Sequence, residues 1–78
     1  MVSYAAMSEL AHQASFQARG DDGRKYIVHI YTDPDDPASP PTLILRTTGD
    51  LEVRRLEKGA YEIVLTGTVL RSDNPSAP

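Results

Sequence analysis

Residues 14–32 read ASFQARGDDGRKYIVHIYT, and this stretch decides the fold. From residue 14 to residue 19 small or apolar residues alternate with polar ones, a period of two that is typical of a half-buried strand. The Asp22-Gly23 pair that follows favours a tight hairpin, because both central turn positions must tolerate a positive φ. Residues 24–32 are rich in β-branched and aromatic side chains, and they predict a second strand that pairs with the first.

The rest of the chain continues this pattern of short strands and tight turns. Strands are predicted at residues 43–47, 51–56, 60–66 and 68–71. A slip in the apolar phase near Arg54 and Arg55 predicts a bulge, and Gly67 predicts a bend. With no helical period between the strands, the pattern indicates an all-β fold, an antiparallel meander of five or six strands. We expect a curled sheet or a small open barrel.

A chain of 78 residues holds one domain. We assign the β domain to residues 14–71 and predict a disordered tail at residues 72–78. Residues 1–13 could form a short helix, with Tyr4, Met7 and Leu10 on one face, or an unstructured arm. The predicted core consists of Phe16, Ala18, Tyr26, Val28, Ile30, Leu43, Leu45, Leu51, Val53, Leu56, Tyr61, Ile63, Leu65 and Val69.

The composition excludes several classes of function. The absence of cysteine excludes disulfide scaffolds, thiolate metal sites and thiol nucleophiles. A net charge of −3 argues against bulk electrostatic attraction to nucleic acid. The chain has neither a signal-peptide pattern nor an apolar run long enough to span a bilayer, so we expect a cytoplasmic protein without membrane contact.

Few motifs point to catalysis or to metal binding. The two histidines are His12 and His29, and His29 lies near Asp33, Asp35 and Asp36 in sequence. These aspartates fail the calcium-loop pattern at its later positions, and a single strand histidine is more often a surface residue. No serine lies in a Gly-x-Ser-x-Gly elbow, and no glycine-rich phosphate loop is present. We therefore expect no enzyme, no cofactor and no metal site.

The segment 33–41 is the longest irregular piece of the chain. Its four prolines forbid both a helix and a central strand, so the segment predicts an exposed loop. Such a loop is the best candidate for a functional loop, and the competing interpretation is a connector without a role.

The most suggestive surface is basic, with tyrosines that offer stacking faces. The candidate binding residues are Arg46, Arg54, Arg55, Lys58, Tyr26, Tyr31 and Tyr61. Small curled sheets with arginines and aromatic rings bind single-stranded nucleic acid. The competing interpretation pairs Arg54 or Arg55 with Glu52, Glu57 or Glu62 on neighbouring strands.

Several stretches carry a family resemblance. They are Phe16-Gln-Ala-Arg19, Asp22-Gly-Arg-Lys-Tyr26, Leu45-Arg-Thr-Thr, Arg55-Leu-Glu-Lys-Gly59 and Tyr61-Glu-Ile63. Over about residues 15–67 the chain resembles short bacterial all-β proteins without an assigned activity. The resemblance implies a bacterial cytoplasmic source and adds no chemistry.

Protein–protein contact is the function that size and pattern favour. An open edge strand can pair with another chain, and residues 43–47 are the predicted edge. The N-terminal segment offers a further contact surface, and a small core gains stability by dimerising. We expect a non-catalytic binding or protein-interaction module that joins a protein partner or forms a homodimer. The alternative is a weak binder of single-stranded nucleic acid.

Overall fold

The computed structural model describes residues 10–78, which form six antiparallel strands. They are β1 (Ala11–Gly20), β2 (Lys25–Thr32), β3 (Leu43–Thr47), β4 (Glu52–Glu57), β5 (Ala60–Ile63) and β6 (Val69–Arg71). Each strand pairs with the next, and β6 returns to β1, so the sheet closes into a small barrel. The predicted all-β meander is confirmed, and the barrel is closed where the sequence predicted an open one or a curled sheet.

The β1–β2 hairpin is held by the side chain of Asp22. One carboxylate oxygen accepts a hydrogen bond from the Arg24 main-chain N–H at 2.9 Å, and the other accepts one from the Tyr26 hydroxyl at 2.6 Å. The bond from Tyr26, followed by that from Arg24, holds the pKa of Asp22 below its usual value, and the same contact raises the pKa of Tyr26. Gly23 takes the positive φ that the turn requires.

The core lies inside the barrel. Its buried side chains are Phe16, Ala18, Val28, Ile30, Leu45, Val53, Ala60, Tyr61, Ile63, Leu70 and Ala77. Full burial of one large apolar side chain stabilises the fold by roughly 1.5–3 kcal/mol. The Phe16 and Tyr61 rings meet at a centroid distance of 5.2 Å, so β1 and β5 contact each other across the interior.

Some predicted core residues lie at the surface. Leu65 is 78% exposed, because β5 ends at Ile63 and the Gly67 N–H closes a turn onto the Ile63 carbonyl at 2.8 Å. Leu56 is exposed within the predicted bulge, which the β4–β5 register confirms. Leu43 is also exposed, near the end of β3.

The N-terminal prediction is corrected in part. β1 begins at Ala11, so residues 11–13 are extended and a helix over residues 1–13 does not reach them. Residues 1–9 lie outside the described part of the chain. The register between His12 and Ala14 shifts by one residue, which marks a bulge at Gln13. The Gln13 amide donates a hydrogen bond to the Thr32 hydroxyl at 2.9 Å.

Residues 72–78, predicted as a disordered tail, fold back on the barrel. Ala77 is 4% exposed within the core cluster. The Ser72 hydroxyl donates to the Gln17 carbonyl at 2.6 Å, and the Tyr61 hydroxyl donates to the Pro78 main-chain oxygen at 2.6 Å. A buried tyrosine hydroxyl needs an acceptor, and the returning tail supplies it.

Candidate functional site

Three of the four predicted basic residues have partners. Arg46 pairs with Asp50 at 3.2 Å, and Arg54 pairs with Glu62, its cross-strand neighbour, at 2.6 Å. Arg55 donates through Nε to the Pro78 oxygen at 3.3 Å. The ion-pair interpretation is thus confirmed for Arg54. Exposed pairs of this kind contribute only about 0–1 kcal/mol, but they occupy the groups that a ligand would need.

The predicted stacking tyrosines are separated by the fold. Tyr61 is fully buried in the core, so a stacking role for it is wrong. Its burial also raises the pKa of the Tyr61 hydroxyl. Tyr26 is half-buried and its hydroxyl is bound to Asp22. Tyr31 is half-buried in β2 and keeps a ring beside His12, with 5.5 Å between centroids. Of the three, Tyr31 is the remaining candidate for stacking.

A different set of basic side chains lies together across three strands. Lys25 on β2 is the cross-strand partner of Arg19 on β1, and Arg19 is the partner of Arg71 on β6. All three are exposed, and within residues 10–78 none of them makes an ion pair. We call these three residues the basic row. Like charges that lie directly opposite each other destabilise a sheet, so the row costs stability in the free protein.

The basic row lines an open cleft against the folded tail. The cleft has a volume of about 440 Å³, and Gln17, Ser72, Asp73 and Asn74 also line it. A second open cleft, of similar volume, places Lys58 beyond Arg71. Lys58, the fourth predicted base, therefore extends the row, and Asp73 borders both clefts.

A second polar group lies toward the other end of β1. His12 Nε2 lies 2.9 Å from the Ser15 hydroxyl, which lies 2.7 Å from His29 Nδ1. His29 Nε2 in turn lies 3.2 Å from the Thr48 hydroxyl. We call His12, Ser15, His29 and Thr48 the histidine cluster. Its members form one chain of hydrogen bonds on the surface of β1, β2 and the turn after β3.

The bulge at Gln13 brings this cluster together. His12 lies opposite Tyr31, and Ser15 lies opposite His29. In a regular strand His12 and Ser15 would point to opposite faces, because side chains alternate. The extra residue of the bulge turns His12 onto the face of Ser15, as bulges do where they re-aim a side chain.

The cluster resembles part of a catalytic arrangement but not all of it. Ser15 and His29 are within the distance that a nucleophile and a base need. The chain of hydrogen bonds ends at a threonine hydroxyl, and within residues 10–78 neither histidine pairs with a carboxylate. Nor does this part of the chain hold three His, Asp or Glu side chains that could share a metal ion, so His29 does not join the aspartates of the 33–41 loop.

Those aspartates shape the loop instead. Asp36 accepts hydrogen bonds from the Ala38 and Thr42 main-chain N–H groups at 2.9 and 3.1 Å. These bonds hold the pKa of the Asp36 carboxyl below its usual value. In the same way, the Asp33 carboxylate accepts a hydrogen bond from the Asp35 main-chain N–H at 2.9 Å. The carboxylates thus satisfy main-chain donors of a proline-rich segment.

Sequence reasoning missed both groups. The hairpin turn already implied that Arg19 and Lys25 are neighbours, and this signal could have found half of the row. Arg71 joins them only through the β1–β6 pairing. Likewise, the hairpin register pairs Ser15 with His29, but nothing in the residue types predicts a bulge at Gln13.

Comparison with known proteins supplies no relative. No family model, curated protein or solved structure matches the chain significantly. Within residues 10–78 there is no helix of the length and apolarity that a membrane crossing requires.

Proposed function

We propose that the protein is a non-catalytic binding module whose ligand is single-stranded nucleic acid, in a bacterial cytoplasm. The observation that carries the proposal is the basic row of Lys25, Arg19 and Arg71, exposed on three adjacent strands without an ion pair in the described chain. A phosphate bound between two of these basic side chains offsets the repulsion between their positive charges in the free protein.

The chemistry of the row suits a phosphate backbone. Residues directly opposite each other in a sheet have Cβ atoms about 5 Å apart, so two side chains of the row can contact one phosphate. Guanidinium groups such as those of Arg19 and Arg71 bind phosphate oxygens in a fork. Lys58 lengthens the row at one end. Tyr31 lies six residues along β2 from Lys25, about 20 Å in a strand and within reach of the same oligonucleotide. A base that stacks on the Tyr31 ring would belong to the same strand as the bound phosphates.

The net charge of −3 predicts weak and salt-dependent binding. For single strands the logarithm of the affinity falls with the logarithm of salt by about 0.7 for each phosphate contacted. The three basic side chains of the row therefore predict a slope of about −2.

The test is a fluorescence-anisotropy titration of a labelled oligothymidine at low salt. We expect Arg19→Ala/Arg71→Ala to weaken binding by about tenfold or more, and to reduce the salt slope by roughly 1.4. The matched control is Arg54→Ala/Arg55→Ala, which removes the same charge from side chains that already have partners. We expect the control to bind within about twofold of the wild type. Absence of wild-type binding at low salt, or equal losses in the two variants, would overturn the proposal.

A second candidate function is self-association or protein binding through β1. Within residues 10–78, β6 pairs with β1 only at Arg19 and Gly20 and the tail contacts Gln17, so residues 11–16 of β1 have one side without a strand partner. The Gln17 carbonyl faces that side, where it accepts from Ser72, and alternation turns the Ser15 N–H the same way. A strand of a second copy can add there. The predicted edge at residues 43–47 is paired with β2 along its length and with β4 at Leu45 and Arg46, so β1 replaces it as the candidate edge.

A further inference from the structure

We propose that His12 and His29 form a two-histidine site for a divalent transition-metal ion, of which Cu²⁺, Ni²⁺ and Zn²⁺ are the candidates. Two ring nitrogens from adjacent strands converge on one point, which the Ser15 hydroxyl occupies. The inference is independent of nucleic-acid binding, since it uses none of the basic row.

The separation of the two rings fits a chelate. An imidazole nitrogen binds Zn²⁺ at about 2.0–2.1 Å, which puts the ring centroid about 3.2 Å from the ion. Two such rings at a tetrahedral angle have centroids about 5.2 Å apart. The observed distance between the His12 and His29 centroids is 5.6 Å. Small rotations of both side chains therefore bring both nitrogens to one ion.

The position of the Ser15 hydroxyl marks the place of the ion. Its oxygen lies 2.9 Å from His12 Nε2 and 2.7 Å from His29 Nδ1, so both nitrogens point toward it. The hydroxyl can donate to the lone pair of one nitrogen and accept from the N–H of the other, whereas a metal ion at this point would take a lone pair from both, with the proton of each ring on its far nitrogen. On binding, Ser15 turns aside and water completes the coordination.

The donor set selects the kind of metal. Imidazole nitrogen suits copper, nickel and zinc, whereas Ca²⁺ and Mg²⁺ require oxygen ligands, above all carboxylates. Neither histidine pairs with a carboxylate in residues 10–78. Sites with nitrogen ligands generally bind Cu²⁺ more tightly than Ni²⁺ or Zn²⁺, so we expect the same order of affinity here.

The bulge at Gln13 is the backbone feature that allows the two histidine rings to converge. Without it His12 would point to the opposite face from Ser15 and His29, and the two rings could not converge. An ion held here would join β1 to β2 beyond the reach of β6, where β2 is the one strand in the described part of the chain that pairs with β1. Metal binding should therefore stabilise the whole barrel, because the unfolded chain has no preformed site.

The test is calorimetric titration of the full chain, stripped with a chelator, with each of the three ions and with Ca²⁺ and Mg²⁺ as negative controls. We expect one ion per chain, tightest for Cu²⁺, and at a hundredfold excess over Kd a rise in Tm of about 10 °C or more. His12→Gln and His29→Gln should each weaken binding by about tenfold or more. Arg19→Ala/Arg71→Ala should leave binding unchanged.

Imidazole NMR resonances give a readout that does not depend on stability. Substoichiometric Ni²⁺ or Cu²⁺ should broaden the His12 and His29 signals together, because both rings bind the same ion. Broadening of one histidine alone, two independent ions per chain, or wild-type affinity in either glutamine variant would overturn the proposal.

Discussion

Tyr61 joins the core to the end of the described chain. Its ring is fully buried against Phe16, while its hydroxyl donates to the Pro78 oxygen at 2.6 Å and accepts from the Gly59 N–H at 3.3 Å. Alternation along β5 predicted that Tyr61 lies inside, and the structure confirms it. The residue type alone does not distinguish a buried core tyrosine from a tyrosine that stacks on a ligand, because both roles use the apolar ring and the polar hydroxyl.

At the residue scale, we expect Tyr61→Phe to lower the free energy of unfolding by about 1–2 kcal/mol, because the ring stays packed while two hydrogen bonds are lost. Urea denaturation measures the change. The matched control is Tyr31→Phe, which removes a hydroxyl from a half-buried ring and should stay within about 0.5 kcal/mol of wild type. Equal losses in the two variants would contradict the role assigned to the Tyr61 hydroxyl.

The turn between β4 and β5 shows how an element depends on the folded tail. Gly59 has a φ of 79°, which sequence reasoning predicted from its place in a tight turn. The structure adds a second constraint, since a Cβ at Gly59 would lie 2.7 Å from the Ser72 carbonyl oxygen. Gly23 has a similar φ of 82°, but nothing lies within 4 Å of its Cβ position.

At the element scale, this contrast predicts two different costs for the same substitution. Gly23→Ala should cost about 1 kcal/mol, the strain of a left-handed residue alone. Gly59→Ala should cost more, about 2–4 kcal/mol, because backbone at Ser72 must also move. Thermal unfolding of the two variants measures the difference. If Gly59→Ala were no less stable than Gly23→Ala, the packing of the tail on this turn would be disproved.

At the scale of the whole molecule, strands of unequal length close the barrel. β1 spans ten residues and β6 three, so closure uses only the end of β1 near the hairpin. The part of β1 that β6 does not reach bears His12 and Ser15 of the histidine cluster, and the closed part bears Arg19 of the basic row. Within residues 10–78, the main-chain donors and acceptors on that side of residues 11–16 have no strand partner, so another chain can pair there.

We predict from this free side that the chain self-associates at high concentration. Light scattering should show a mass approaching twice 8.5 kDa. Ser15→Pro should restore the monomer, because it removes an N–H that faces the free side and leaves the β1–β2 pairing intact. Ser15→Ala is the matched control, as it loses the same hydroxyl but keeps the N–H. A clean monomer in the wild type, or dissociation in both variants, would contradict pairing through this edge.

The sequence by itself determined the strands, the order of the turns, the bulge near Arg55 and the left-handed glycine at position 59. These features depend on the side-chain period and on the φ that a single turn position allows, and neighbours in the chain set both. The tertiary structure alone decided that Arg71 lies beside Arg19 and that His12 faces Ser15. It also decided that the Pro78 oxygen accepts a hydrogen bond from the Tyr61 hydroxyl. Each of these depends on register, where a shift of one residue moves a side chain to the other face, and the register between distant strands is set only when the barrel closes.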